Sequence, residues 1–167
     1  MISSSLHSSH DRSFADNRFV YPVLSRRSGG MSIGVNLNPD KICNFDCIYC
    51  QVNRTTASET RFVEMQHLLD ELQDMLDLVL SGEIYTTEFF STVPNHLRRL
   101  NDIAFSGDGE PTTYKNFDDI ISQCAQLKQS ISRQYTDSNS QLPTDPIKMV
   151  LITNASMFHR EHVERGL

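Results

Sequence analysis

The thirteen residues Asp102–Tyr114, DIAFSGDGEPTTY, admit two folds. Ile103 to Ser106 make a short apolar strand, and the Gly107-Asp108-Gly109 run ends it. An Asp-Gly pair can close a β-hairpin, which needs a second strand just beyond. A helix pattern follows instead. Asn116 offers a cap, Asp118 and Asp119 place negative charge in the first turn, and Ile120, Ile121, Cys124, Leu127 and Ile131 recur on one face. The stretch is therefore the turn of a strand–helix unit.

The same alternation extends both ways. Upstream, Met31 to Leu37 forms a strand that Asn38-Pro39-Asp40 breaks. A helix follows, with the stripe Met65, Leu68, Leu69, Leu72, Met75, Leu76, Val79 and Leu80 and a stop at Gly82. Downstream, RQYTDSNSQLPTDP (133–146) is polar and turn-rich, as expected of a surface loop. KMVLITNAS (148–156) is a third strand, and FHREHVERGL (158–167) opens another helix. Strand and helix in strict alternation predict an α/β fold with a parallel sheet and right-handed crossovers. In such folds chemistry gathers at the C-terminal ends of the strands. Three features fall there: the cysteine-rich stretch CNFDCIYC (43–50), the GDGEPT loop, and Thr153-Asn154.

The 167 residues suffice for one core, and 38% apolar with 22% charged residues is a globular composition. A net charge of −6 lends no support to a broad nucleic-acid-binding surface. No apolar run approaches the ~20 residues that span a bilayer. The Ser- and His-rich start, MISSSLHSSHDRSF, lacks the apolar segment of a secretory signal. Residues 1–20 are expected to be a flexible tail, with the domain over 21–167. A reducing, cytoplasmic location is expected, where clustered cysteines serve metals or redox chemistry more often than disulfides. The six histidines are scattered, with no metal-binding pair among them.

Cys43, Cys47 and Cys50 are spaced C-x3-C-x2-C, and the fourth cysteine, Cys124, lies on a buried helix stripe. Three arrangements are open. The Cys47–Cys50 pair alone could be a thioredoxin-like redox motif, which leaves Cys43 without a role. A structural zinc site needs a fourth ligand, and Cys124 is more simply a small core residue. A four-iron cluster held by three thiolates leaves one iron open, as a catalytic metal requires.

With aromatic Tyr49 before its last cysteine, this motif resembles the signature of the radical SAM superfamily. The stretches SRRSGGMSIGVNLNPDKICNFDCIYCQVNRT, FSGDGEPTTY and LITNAS resemble, within it, the iron–sulfur oxidoreductases related to wyosine-type tRNA-modifying enzymes. The resemblance spans about Tyr21 to Leu167 and implies a radical SAM partial (β/α) barrel. It also implies a [4Fe-4S] cluster on Cys43, Cys47 and Cys50, whose free iron binds S-adenosylmethionine for reductive cleavage to a 5'-deoxyadenosyl radical. Tyr49 matches the aromatic position near cluster and adenine. Gly107, Asp108, Gly109, Glu110 and Pro111 match the GGEP motif that meets the cofactor's ammonium group, with Asp108 where a glycine is usual. Thr153 and Asn154 match the end of the third strand, with Ala155 in place of a common glycine. Ser25, Arg26 and Arg27 match a basic signature that either contacts substrate or braces the first strand. The implied partners are an electron donor such as flavodoxin or ferredoxin and, as substrate, a tRNA base or a protein that is made into a radical. Such cores usually have six strand–helix units and three are visible, so the chain is expected to be part of a longer enzyme.

Overall fold

The computed structural model describes residues 14–43, 45, 47–48, 50, 52–55, 58, 60–138 and 146–167. Four strands form one sheet in chain order: β1 Val20–Ser25, β2 Gly30–Val35, β3 Leu100–Phe105 and β4 Lys148–Leu151. The pairs β2–β3 and β3–β4 are parallel, as alternation requires. β1 was not anticipated. It pairs antiparallel with β2 through the turn around Gly29, whose φ of 68° suits glycine. Packing also begins earlier in the chain than expected. Residues 1–13 of the expected tail lie outside the described residues, but Phe19 and Val20 are fully buried and Phe14 rests against the core.

Three helices cover one face of the sheet: α1 Met65–Leu80, α2 Phe117–Ser138 and α3 Glu161–Gly166. Leu68, Leu72, Met75, Leu76 and Val79 of α1 meet Ile33, Val35, Ile103 and Phe105 of the sheet in one apolar core. Beyond α1, Gly82 turns left-handed at φ 81° and its N–H reaches the Val79 carbonyl at 3.2 Å. α2 runs through Ser138, so Arg133 to Ser138 are helical where a loop was expected. There Arg133 and Gln134 are exposed, and Tyr135 packs against the core and donates to the Asp77 carbonyl at 3.3 Å. Residues 139–145 of that expected loop lie outside the described residues. Arg165 of α3 holds Asp118 of α2 at 2.8 Å.

The incoming chain is fastened by Glu71, a buried carboxylate on α1. Its Oε1 accepts the Arg18 N–H at 2.8 Å, and its Oε2 accepts the N–H groups of Phe19 and Val20 at 2.8 and 3.0 Å. These bonds satisfy backbone donors just before and at the start of the β1–β2 ladder.

The other sheet face carries Tyr21, Ser32, Gly34, Asp102 and Ala104, all buried. Ser32 Oγ donates to Asp102 Oδ1, and Arg27 Nη2 reaches Asp102 Oδ2 at 3.1 Å. Arg27 therefore braces the sheet near the N-terminal ends of its parallel strands, away from the end where chemistry gathers. The Tyr21 ring lies flat against Gly34: a Cβ there would sit 2.3 Å from Tyr21 Cζ. The ring cannot simply swing aside, because Tyr21 Oη donates to the Ser106 carbonyl at 2.8 Å. Gly34→Ala is expected to cost about 1–3 kcal/mol by overpacking, and clearly less in a Tyr21→Ala background. A double-mutant cycle in urea measures that coupling.

Candidate cofactor site

β2, β3 and β4 end at one edge, and the segments that leave them surround a half-open cavity of about 250 Å³. Cys43, Cys47 and Cys50 line it from the loop after β2. Gly107, Asp108, Gly109 and Glu110 line it from the loop after β3, and Thr153 and Asn154 from the end of β4. The expected convergence of three distant segments is thus present. Pro111 is buried behind the wall, where it starts a short 3-10 turn through Thr113. Tyr49 lies outside the described residues.

Two polar side chains bind the walls together. Asn36, 2% exposed just beyond β2, accepts the N–H groups of Asn38 and Asp108 on Oδ1, both at 3.0 Å. Its Nδ2 donates to Asp108 Oδ2 at 2.8 Å. Glu110 is 6% exposed. Its Oε1 accepts the Thr112 hydroxyl at 2.6 Å, the Thr112 N–H at 3.3 Å and the Thr153 hydroxyl at 2.5 Å. Its Oε2 accepts the Asn154 N–H at 2.9 Å. The Glu110 carboxylate therefore acts first as a bridge between the β3 loop and the end of β4. The loop glycines permit close approach: a Cβ at Gly107 would sit 2.2 Å from Asn36 Oδ1, and one at Gly109 2.7 Å from Asn38 Cβ.

Cys43 and Cys47 are half-buried, Cys50 is exposed, and all are free thiols. The Cys50 N–H returns to the Cys47 carbonyl at 2.9 Å. Soft thiol donors with no disulfide among them, gathered at one cavity, are the donor set an iron–sulfur cluster takes from a protein. Among the described residues, no three His, Cys, Asp or Glu side chains already converge as a finished metal cage. Cys124 is fully buried in the core, and that burial pushes its thiol up to about 12. It belongs to the packing, as its helix stripe suggested.

A model of the Radical SAM superfamily matches residues 37–165. The chain belongs to that superfamily. Among curated relatives, a UPF0026 protein of Methanocaldococcus jannaschii is 30% identical over 152 residues, which cover 87% of this chain and 36% of that protein. A UPF0026 protein of Helicobacter pylori is 25% identical over 149 residues, 87% of this chain and 37% of that one. A protein named GTPase Obg from Brachyspira hyodysenteriae is 25% identical over 150 residues, 90% of this chain and 17% of that one. The radical SAM chain therefore spans little more than a third of the UPF0026 relatives and about a sixth of the third protein. No solved structure gives a significant match.

Several lining residues had escaped sequence reasoning: Phe45, Val52, Arg54, Ser106 and Ile152, with Asn36 behind them. Position at a strand end was the available signal for Asn36 and Ser106. Arg54, four residues beyond Cys50, carried no signal of its own.

Two outcomes follow for this radical SAM domain. In metal-free protein at pH 8, Cys43, Cys47 and Cys50 should react with a thiol reagent and Cys124 only after unfolding, because the thiolate is the reactive form. The folded Cys124 value lies above its ordinary 9.0, so the unfolded chain loses that proton first. The stability from keeping it neutral is complete below about pH 9 and is lost as pH rises toward about 12. Glu110→Ala should cost about 2–4 kcal/mol in a urea titration, since it orphans buried donors on both sides of the bridge.

Proposed function

We propose that this chain carries the cluster- and cofactor-binding part of a radical SAM enzyme, with Cys43, Cys47 and Cys50 as ligands of a [4Fe-4S] cluster. The observation that carries this reading is the meeting of three free thiols with the Gly107–Glu110 loop and Thr153–Asn154 at one strand edge. The chemistry that cluster and S-adenosylmethionine would supply when bound is reductive cleavage of the sulfonium, giving methionine and a 5'-deoxyadenosyl radical for hydrogen abstraction from substrate.

The protein's own residues hold, orient and shield. The three thiols would supply soft ligands to the cluster and would leave its fourth iron to the cofactor. The carbonyls of Gly107 to Gly109, brought close by the absence of Cβ atoms, are acceptors for an ammonium group. Asp108, whose carboxylate accepts from Asn36, adds negative charge near that cation. Glu110 contributes through Oε2, where the Asn154 N–H takes one of the available lone pairs. Thr153 and Asn154 complete the wall, and the resemblance implies an aromatic role near cluster and adenine for Tyr49, which lies outside the described residues. Holding one cluster would tie Cys43, Cys47 and Cys50 together, so binding and loop order would be coupled.

For the substrate, resemblance to wyosine-type enzymes favours a tRNA base. A net charge of −6 gives this segment no broad phosphate-binding surface of its own. The electron donor would be a flavodoxin- or ferredoxin-like protein in a reducing, cytoplasmic setting. Among the described residues, no helix is long and apolar enough to cross a membrane.

Anaerobic reconstitution with iron and sulfide tests the reading. A four-iron paramagnetic signal is expected on reduction, changed by added S-adenosylmethionine. Alanine at any of Cys43, Cys47 or Cys50 should abolish it, and Cys124→Ala should spare it. Tight zinc binding without cluster assembly would refute the proposal and leave a metal staple.

A further inference from the structure

Arg54 is the one cation among the described residues lining the cavity. Its guanidinium reaches three separate groups. Nη1 donates to the Lys41 carbonyl and, at 2.9 Å, to the Asp108 carbonyl. Nη2 donates to Cys50 Sγ at 3.6 Å, a distance the larger sulfur atom accommodates. These acceptors lie on three segments: the chain entering the cysteine loop, the third cysteine, and the glycine loop after β3. A planar fork with five N–H donors can span such a set, whereas a lysine ammonium is a single point charge.

We propose that Arg54 is a positioning residue that latches the cysteine loop to the Gly107–Glu110 loop and tunes a metal centre at Cys50 through an N–H···S bond. This role rests on the reading of Cys43, Cys47 and Cys50 as cluster ligands.

Two physical arguments support it. The first concerns strain. Lys41 sits at φ 59°, a left-handed conformation that residues with a Cβ avoid. A bond to the Lys41 carbonyl holds that turn, and the same guanidinium then fixes its distance from the Asp108 carbonyl. The second concerns charge. A metal-bound thiolate is negative, and a cationic donor on it stabilises the added electron of the reduced cluster. Hydrogen bonds to the sulfurs and net charge are the levers that set cluster potentials. Arg54 therefore raises the midpoint potential, and its loss lowers it.

The test uses the full chain reconstituted anaerobically, with Arg54→Gln and Arg54→Lys beside the parent. Iron and sulfide content, circular dichroism and a redox titration followed by paramagnetic resonance are read without S-adenosylmethionine. Arg54→Gln should fold and load like the parent but show about tenfold less reduced cluster at a fixed potential, ~59 mV for a one-electron couple. Arg54→Lys, which keeps the charge and loses the fork, should fall between them. Reduced iron loading in a folded Arg54→Gln also supports the latch. An unchanged midpoint with full loading overturns it, and so does an unfolded Arg54→Gln, which would make Arg54 a residue of the fold. If the parent binds no iron, the cluster reading fails and the latch falls with it.

Discussion

The carboxylate of Glu110 accepts on one oxygen from Thr153 and on the other from the Asn154 backbone, while Thr112 fixes its base. It is a carboxyl group taken almost wholly out of water, and donors meet both of its oxygens. Parallel strands need such a device. Their ladder sets spacing and direction, but leaves the loops at their ends to find their own partners. Asn36 does the same work one strand over, fastening the chain beyond β2 to Asp108. Together the two side chains join the segments beyond β2, β3 and β4 into one rim.

Much of this was legible in the amino-acid order. The α1 stripe, the β3 strand with its glycine turn, and the three cysteines announced themselves because each follows a short-range rule of period, turn chemistry or spacing. β1 was not legible. Val20 to Ser25 contains Pro22, precedes a basic turn and alternates poorly, and only its pairing with β2 makes it a strand. The last turns of α2 were misread because Thr136, Asp137 and Ser138 have loop-like composition, and the helix is carried on by packing earlier along it. Asn36 and Arg54 were invisible for a different reason: their importance lies in partners from other segments, and no local pattern encodes those.

The two positions that the resemblance sets against glycines, Asp108 and Ala155, have local explanations. Asp108 stands where a glycine is usual, and its side chain is taken up by Asn36, so the loop closes around a larger residue. Ala155 replaces a common glycine and sits at φ 60°, the left-handed region where glycine would be at ease. Its N–H bonds to Thr153 Oγ1 at 2.9 Å, and the N–H of Ser156 to Asn154 Oδ1 at the same distance, so side-chain turns hold the bend that a glycine would otherwise ease.

The cavity walls come from parts of the chain made at different times. Asn36 meets Asp108 across 72 positions and Glu110 meets Thr153 across 43. Synthesis proceeds at roughly 5–20 residues per second, so the ~100 residues from Cys50 to Thr153 take about 5–20 s to emerge. A helix such as α1 forms far faster than that, but the rim waits for its long-range partners. For those seconds the three thiols exist without a pocket, exposed to oxidants and stray metals. A cluster held by these thiols would find its complete pocket only after translation of β4, and protection of the nascent thiols would then be part of maturation.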